Sequence, residues 1–295
     1  SYWRHEKMRH LQDARSFVVS RGPAFGPLVV EEWLGYKPEN MVLWLQDASY
    51  DDLNPQIAAF YDKIVVVSKW HGYAMHQRHG VPFEKMTVAY NFLQRELFDN
   101  DEKIERKRDR FVYGSSPDRG LIRLMELWPK IRERLPEATL DVYYGWRGIE
   151  ALGLKTQGTG WATRLEYMRQ RFEQLVHQPG IHNFGMVPAR TLARAYRSAG
   201  VWCYPTTFEE TGCSTACEVR AAGCVPVCPP LAALDETGRC DEGFLLKDIK
   251  DDDEVVAACV AATKVDDRSR ADMAENAIET YSLEVLLPTW RGILK

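Results

Sequence analysis

Several features that mark common classes of protein are missing from this chain of 295 residues. No apolar run approaches the roughly 20 residues that a membrane-spanning helix needs, and no secretory leader pattern follows Ser1. Basic residues are not in excess, because 38 Lys and Arg stand against 42 Asp and Glu, for a net charge of -4. We therefore expect a cytoplasmic protein without a transmembrane segment and without a nucleic-acid partner, and peripheral attachment to a membrane stays open.

Cysteine is absent from the whole first half. No cysteine precedes Cys203, and most of the seven stand in apolar stretches that are typical of buried strands or helices. The two C-x3-C spacings differ from those of zinc sites, so we predict neither a metal site nor disulfides. His71, His76 and His79 share a predicted helix without a neighbouring carboxylate, and we interpret them as a solvated face.

The first third of the chain alternates short apolar runs with helix-forming stretches. The strands are predicted at Ser16 to Ser20, Met41 to Leu45, Lys63 to Ser68 and Met86 to Tyr90, and the helices at Phe25 to Leu34, Pro55 to Tyr61 and Lys69 to His79. Such alternation implies parallel strands joined by helical crossovers. We take residues 1–100 as an N-terminal domain and the nearly all-charged residues 101–110 as a linker.

A second alternating series, residues 111–281, has the elements of a complete doubly wound α/β domain. Its strands are predicted at Phe111, Leu140 to Tyr144, Ile181 to Phe184, Val201 to Tyr204 and Cys224 to Cys228, and its helices at Leu121 to Arg134, Arg164 to Val176, Ala189 to Ser198, Ser214 to Ala222 and from Asp251 and Asp267 onward. Gly148 to Gly160 is predicted to be a flexible surface loop. The last helix, residues 282–295, is predicted to pack back on the N-terminal domain.

The stretch that carries most chemistry places Glu210 and Glu218 on either side of seven residues. A polar loop, Thr211, Gly212, Cys213 and Ser214, lies between them where a strand gives way to a helix. Main-chain N–H groups at a helix start favour a phosphate or diphosphate, and an ionised carboxylate accepts hydrogen bonds from vicinal hydroxyls. This layout suits a nucleotide sugar. The alternative is a solvated loop Glu followed by an exposed helix Glu.

The wider stretch resembles the E-x7-E region of retaining glycosyltransferases of family 4, which have the GT-B fold. The matching residues are Tyr204-Pro205-Thr206, Phe208, Glu210-Thr211, Cys213, Thr215-Ala216, Glu218, Ala221-Ala222-Gly223 and Pro226-Val227. Further elements are similar to the same family: Phe111 to Leu121 with its R-G-L loop, Leu140 to Trp146, Gly185-Met186-Val187, Trp44 to Asp47, Ile64 to Ser68 and Tyr90-Asn91. The resemblance covers roughly residues 40–295.

That resemblance implies two Rossmann-like domains facing a cleft, with an N-terminal domain that is unusually short. Family members have an earlier glycine-rich loop and further strands before the equivalent of Ser16. We therefore expect either a minimal acceptor domain or one domain of a longer polypeptide.

The resemblance also assigns roles to single residues. It implies that Arg119, with Ser116, Gly120 and the amides of Thr211 to Ser214, holds the donor diphosphate. Glu218 is expected at the ribose hydroxyls, Glu210 at the donor sugar, and Gly185 and Val187 near the base. Asp47 is a candidate for contacting the acceptor, although the residue before it is Gln46 where relatives have His. No cofactor or metal is implied, because an arginine and a helix start already supply positive charge.

The expected activity is transfer of a sugar from a UDP- or GDP-sugar to a hydroxyl of a glycan, lipid-linked or protein acceptor. We expect the anomeric configuration of the sugar to be retained, and we expect the reaction to belong to polysaccharide biosynthesis. Two alternatives stay open: a non-catalytic nucleotide-sugar-binding module of a larger protein, and a GT-B UDP-sugar epimerase. A dinucleotide-dependent oxidoreductase is least favoured, because no G-x-G-x-x-G follows a predicted strand.

Overall fold

The structure is a computed structural model, and it describes residues 15–30, 36–99, 102–146 and 160–295. Most of the predicted loop at Gly148 to Gly160 lies outside these residues, as does the end of the predicted helix at Phe25 to Leu34. The chain forms two compact units. The first contains residues up to Phe92 together with Glu209–Gly212 and Leu283–Lys295, and the second contains Leu93–Phe208 and Cys213–Ser282.

The first unit is built on a parallel sheet of four strands in the order β1-β2-β3-β4. The strands are β1 Ser16–Ser20, β2 Asn40–Trp44, β3 Lys63–Val66 and β4 Met86–Val88. The helices that follow them along the chain are α1 Phe25–Val29, α2 Pro55–Phe60 and α3 Lys69–His79, and Phe83–Lys85 forms a short 3-10 turn. Asn54 and Ser68 cap α2 and α3, each accepting a main-chain N–H with its side chain.

Both faces of this sheet are buried, as its apolar strands predict. Met41 and Leu43 of β2 pack into one cluster and Val42 into another, because successive strand residues point to opposite faces. The second cluster includes Ile293 of the C-terminal helix, Leu283–Ile293, and Trp290 of that helix meets Trp44 edge to face. The C-terminal helix therefore covers the face of the sheet that holds Val42.

The second unit is built on a parallel sheet of six strands. Its order, β7-β6-β5-β8-β9-β10, is that of a complete Rossmann-type sheet. The strands are β5 Lys107–Tyr113, β6 Thr139–Tyr143, β7 Ile181–Gly185, β8 Ala199–Cys203, β9 Val225–Cys228 and β10 Phe244–Leu245. The helices of this unit are α4 Leu121–Arg134, α5 Gly160–Leu175, α6 Ala189–Ser198, α7 Ser214–Ala221, α8 Leu234–Thr237, α9 Asp252–Ala262 and α10 Asp267–Tyr281, and the C-terminal helix of the first unit is α11.

The predicted α/β class with parallel sheets is confirmed. Among the differences in detail, β5 begins at Lys107, inside the charged stretch, rather than at Phe111. Its extra residues pair with the main chain of Ala199 and Thr139, and such pairing places no demand on apolar side chains. The short elements α8 and β10 were not predicted. They contain four and two residues, which is too few for apolar residues to recur with a recognisable helix or strand period.

The interpretation of the α3 histidines as a solvated face is wrong for His71, which is fully buried. His71 Nδ1 lies 3.2 Å from the main-chain nitrogen of Val67, and Nε2 lies 3.1 Å from the main-chain oxygen of Asp47. These partners require the neutral ring with its proton on Nε2. Burial lowers the pKa of His71 to about 4, so the ring is uncharged at neutral pH.

All seven cysteines lie in described parts of the chain and are free thiols, six of them buried and Cys240 partly exposed. In the portion of the chain that the structure covers, no group of His, Cys, Asp and Glu side chains has an arrangement that could hold a metal ion. A helix with the length and apolar character needed to cross a bilayer is likewise not found within the described ranges.

Candidate functional site

The two central strands of the second unit mark the point at which its strand order reverses. β5 pairs with β6 on one side and with β8 on the other, so the chain leaves their carboxyl ends in opposite directions. In open α/β sheets, ligands bind outside the strand ends at such a point. The loops that follow are residues 114–120 after β5 and residues 204–213 after β8, and they contain Ser116, Arg119, Gly120 and Cys213.

Gly120 allows these two loops to approach each other. Its φ is +106°, and a Cβ atom at this position would lie 2.8 Å from the main-chain oxygen of Pro205. A side chain there would therefore be strained both by the backbone conformation and by the contact. Glycine at this position is required by the geometry of the loop and does not by itself indicate a ligand.

Arg119 is held in a tight turn beside Gly120. The main-chain oxygen of Ser116 accepts the Arg119 N–H at 3.1 Å and the Tyr113 hydroxyl at 3.0 Å. The Arg119 guanidinium stacks on the ring of Phe208, with its central carbon 4.0 Å from the ring centroid. Stacking of this kind fixes the plane of the guanidinium, which suits recognition of phosphate oxygens.

Helix α7 begins directly after the loop that follows β8. Cys213 is the extended N-cap residue, Ser214 is exposed, and the Thr215 hydroxyl lies 3.3 Å from that of Ser115 in the loop after β5. The first N–H groups of any helix have no acceptor within the helix. The second unit thus brings Ser116, Arg119 and Gly120 of one loop and the start of α7 to the ends of neighbouring strands.

Glu218 lies one turn inside α7, as predicted, and its side chain is only partly exposed. Burial raises the pKa of Glu218 to about 7. Its charge in turn helps to raise the pKa of the Tyr196 phenol, although burial is the larger cause there. A desolvated carboxyl group that titrates near neutral pH is more typical of a binding or catalytic site than of a solvated helix face.

The other acidic residue of the pair, Glu210, belongs to the segment Glu209–Gly212, which packs with the first unit. Glu210 is 7% exposed, so it is not the solvated loop residue of the alternative interpretation. Its neighbour Glu209 is exposed and forms an ion pair with Arg78 at 2.6 Å.

Side chains at the ends of the first unit's strands fix the main chain directly after Glu210. The Ser68 hydroxyl donates to the Thr211 oxygen at 2.6 Å, and the Asn91 amide donates to the Gly212 oxygen at 2.9 Å. A Cβ atom on Gly212 would come within 2.9 Å of the Val67 main-chain oxygen. These contacts leave little room for movement of the segment within the first unit.

Asp47 follows β2, and its side chain is half exposed beside Arg21, with 3.9 Å between the charged atoms. The Tyr50 hydroxyl accepts both the Gln46 N–H at 2.7 Å and the Asp47 N–H at 2.8 Å, while buried His71 donates to the Asp47 oxygen. The Gln46 oxygen accepts the Thr211 hydroxyl at 2.7 Å. The first unit therefore brings Asp47 and the Glu210 segment together through the Thr211 side chain and the Gln46 main chain.

Gly185 and Val187 lie elsewhere in the second unit, at the end of β7, and the sheet places β6 between β7 and β5. Gly185 has a φ of +64°, which fits the predicted turn. Tyr144 at the end of neighbouring β6 also has a positive φ, of +86°, which is unusual for a residue with a side chain. Tyr144 and Met186 are both exposed.

Four residues that shape the site were not assigned by sequence reasoning: Tyr50, Ser68, His71 and Asn91. Ser68 and Asn91 do stand in the stretches that resemble the glycosyltransferase family, so a signal existed for them. Tyr50 and His71 stand in no such element. A hydroxyl that accepts two main-chain N–H groups is recognised only once the turn is seen.

Comparison with known proteins gives structural matches only. No family model matches the sequence, and no curated protein sequence matches it. A TarM variant of S. aureus, solved with Fondaparinux, alpha-GlcNAc-glycerol and UDP, has a TM-score of 0.70 at 12% identity, covering 99% of this chain and 58% of that one. Anabaena HepE with UDP and glucose has a TM-score of 0.72 at 13% identity, covering 98% and 80%.

The pneumococcal O-GlcNAc transferase GtfA, solved with UDP and GlcNAc, has a TM-score of 0.68 at 15% identity, covering 98% of this chain and 58% of that one. This chain thus corresponds to 58% of the TarM chain and 80% of the HepE chain. At such low identity the likeness shows the fold. The fold is that of the GT-B glycosyltransferases, as the sequence resemblance implied.

Proposed function

We propose that the protein is a retaining glycosyltransferase of family 4, of the E-x7-E type, which transfers a sugar from a UDP- or GDP-sugar to an acceptor hydroxyl. The neighbours in fold support glycosyl transfer, since HepE and GtfA were solved with UDP and a sugar. UDP is for that reason the first donor nucleotide to test. The acceptor is a glycan, a lipid-linked sugar or a protein, in a pathway such as polysaccharide synthesis.

One observation supports this proposal most strongly. A desolvated carboxyl group, Glu218, lies one turn inside a helix that begins beside the reversal point of a Rossmann-type sheet, and the neighbouring loop presents Arg119. The same strand ends thus have N–H groups that can donate hydrogen bonds to a diphosphate and a carboxylate that can accept hydrogen bonds from ribose hydroxyls. These match the two halves of a nucleoside diphosphate. A solvated helix residue would have no reason to be partly buried there.

In the proposed complex, the diphosphate contacts the Arg119 guanidinium, the Ser116 to Gly120 loop and the amides of Thr211 to Ser214. The ionised Glu218 accepts hydrogen bonds from two ribose hydroxyls, and Gly185 and Val187 lie near the base. Glu210 contacts the hydroxyls of the donor sugar. The two carboxylates thereby have separate tasks, one in binding the nucleoside and one in orienting the transferred ring.

The proposed step breaks the bond between the anomeric carbon and the diphosphate oxygen while the acceptor oxygen bonds to the same face of that carbon. The acceptor's proton passes to the leaving phosphate oxygen, so no protein base is needed. Negative charge develops on the leaving group, where Arg119 and the helix N–H groups stabilise it. These groups take the place of a divalent cation, and we expect EDTA to leave turnover unchanged.

Asp47 is proposed to contact the acceptor, because its side chain is exposed at a turn whose main chain is fixed by Tyr50 and His71. Gln46 replaces the His of the family's pattern at the preceding position, so no titrating imidazole is available there. His71 does not substitute for it, since burial keeps its ring neutral and its Nε2 proton is donated to the main chain.

The decisive variant is Glu210→Ala. We expect loss of transfer by at least about a hundredfold with an unchanged fold, because the sugar loses a fixed hydrogen-bond partner in the transition state. Glu209→Ala is the matched control, since its exposed ion pair contributes little and activity should fall by less than about fivefold. Undiminished turnover in Glu210→Ala would contradict the assignment.

The donor is identified by thermal-shift measurements against a panel of UDP- and GDP-sugars, since a ligand that binds only the folded state raises the melting temperature. Stabilisation by one base and one sugar, together with transfer to an acceptor, supports the proposal. Donor binding with neither transfer nor donor hydrolysis would indicate a binding module instead, and a new UDP-sugar formed without any acceptor would indicate an epimerase.

A further inference from the structure

A pocket lies in the second unit, at the amino-terminal ends of its strands and so at the opposite end of the sheet from the nucleotide loops. It has a volume of about 460 Å³. Arg106 directly precedes β5, and Ala222 and Gly223 directly precede β9. The apolar part of its wall includes Phe98 and residues of α10. Nothing in the proposed transfer reaction uses this pocket.

The pocket is lined by four arginines, Arg106, Arg108, Arg197 and Arg270, and by one acidic residue, Asp267. Glu102, which is not part of the lining, lies 3.9 Å from Arg197, so two carboxylates face four guanidinium groups. Arg270 is 2% exposed, so its charge lies within the protein. Burial, together with the charge of neighbouring Arg106, lowers the pKa of Arg270 to about 10. Burial also lowers the pKa of Arg106, and Arg197 and Arg108 add to that effect. The cations therefore repel one another in this pocket.

Much of this arrangement has a structural explanation. Arg106 donates to the Ala199 oxygen and, at 2.6 Å, to the Ala222 oxygen, which follows the end of α7. Arg270 donates to four main-chain oxygens, including Ala262 at the end of α9. Helix ends attract cations through their exposed carbonyl groups. Carbonyl oxygens satisfy N–H groups, but they do not neutralise the net charge.

Donors also remain for a ligand. A guanidinium has five N–H groups, of which Arg106 uses two in hydrogen bonds to main-chain oxygens. Arg108 is half exposed and makes one ion pair, to Asp267 at 3.0 Å. Fork-shaped donors with excess positive charge match a compact anion with several oxygens, and the phosphate group is the best fit among common ones.

We propose that this arginine pocket binds a phosphate group, from inorganic phosphate or from a small phosphomonoester. A phosphate dianion would reduce the excess positive charge, accept the remaining N–H groups of Arg106 and Arg108, and join β5 to the start of α10. Because those two elements lie in one unit, binding should stabilise the second unit without contacting the nucleotide loops.

The test measures binding of inorganic phosphate by calorimetry and by thermal shift at fixed pH, with chloride at equal ionic strength as the reference. We expect a saturable rise in the melting temperature. Arg108→Gln should weaken phosphate binding at least about tenfold, because it removes a charge-assisted contact from a group exposed enough to be replaced without unfolding. Glycerol phosphate is tested beside inorganic phosphate, and tighter binding of the ester identifies a metabolite as the source.

Two control variants separate this site from the alternatives. Arg268→Gln removes the same charge from α10, the helix that carries Arg270, but the Arg268 side chain is 92% exposed and does not line the pocket. If Arg268→Gln and Arg108→Gln weaken phosphate binding equally, the binding depends on overall charge and not on this pocket. That result would overturn the proposal. Arg119→Gln removes the phosphate contact proposed for the nucleotide site. Binding that disappears in Arg119→Gln and persists in Arg108→Gln would also overturn it.

Discussion

The two units present different kinds of loop at the ends of their strands. In the first unit, the segment that carries Glu210 is fixed by side-chain donors, the hydroxyl of Ser68 and the amide of Asn91, which bind main-chain oxygens. In the second unit, the loop that carries Arg119 is fixed by close backbone packing at Gly120 and by stacking on Phe208. Close packing occurs at Gly212 as well, but at Gly120 it is combined with a left-handed backbone conformation, so shape constrains the second loop more strongly.

Because of this difference, we expect substitutions in the two regions to act in different ways. A hydrogen bond can be removed by an isosteric change that leaves the backbone in place, so its loss should be local and modest. A close backbone contact cannot be changed without moving one of the two loops that form it, so its loss should disturb the whole unit. Single substitutions in each region can distinguish these two kinds of failure.

Gly120→Ala should have the largest effect on stability. The new Cβ would meet the Pro205 oxygen in a left-handed backbone conformation, and we expect a loss of roughly 2–4 kcal/mol in the free energy of unfolding. Urea denaturation measures it. Gly292→Ala is the control, because a Cβ there meets nothing within 4 Å, and alanine inside α11 should stabilise slightly. Equal stability of the two variants would refute the packing argument.

Asn91→Asp should have an intermediate and local effect. It keeps the shape of the side chain but places an oxygen against the Gly212 oxygen, so we expect a loss of roughly 1–3 kcal/mol and about tenfold slower turnover. Hydrogen exchange should become faster at residues 209–212. In the transfer assay the change should appear in kcat rather than in the donor KM, since Asn91 acts by positioning Glu210.

The matched control for Asn91→Asp is Asn40→Asp, in the same unit. The Asn40 amide donates to the Ile293 oxygen at 2.8 Å, so it anchors α11 instead of the Glu210 segment. Its replacement should cost similar stability and speed exchange near residue 293, with turnover little changed. If both variants slow turnover alike, Asn91 has only a structural role.

Glu218→Gln should have the smallest effect on stability and a clear pH dependence. The pKa of Glu218 is about 7 in the folded chain against a usual 4.5, so the folded state holds the proton more tightly. Its stabilising contribution is present below pH 4.5 and is lost as the pH rises to about 7. Because the side chain is partly exposed, we expect Glu218→Gln to gain about 1 kcal/mol relative to wild type between acid and neutral pH.

Donor affinity should change in the opposite direction, because the proposed ribose contact needs the ionised carboxylate. Wild-type affinity for the donor should rise as the pH approaches 7, while Glu218→Gln binds weakly at every pH. Calorimetric titrations across this range measure both. A wild-type donor affinity that does not change with pH would contradict the proposed contact between Glu218 and the ribose.

Most strands and helices could be predicted from the sequence, because their apolar residues recur with the period of buried parallel strands and of helices that cover them. Helices α3, α4 and α6 have the bounds that the sequence predicts. The buried state of His71 could not be predicted in this way. Both of its partners are main-chain atoms, Val67 just before the helix and Asp47 after another strand, and a main-chain partner leaves no trace in residue identity.

Local features of the sequence are enough to predict the two parallel α/β sheets, the seven-residue spacing of Glu210 and Glu218, and the start of a helix between them. Those features follow from local propensity and side-chain period, which each stretch carries alone. Three other features arise only when the chain folds: Glu209–Gly212 packs with the first unit, Glu218 loses enough solvent to titrate near 7, and four arginines line one pocket. Each of these depends on contacts between residues distant in the chain, and desolvation and charge repulsion exist only once those residues are brought together.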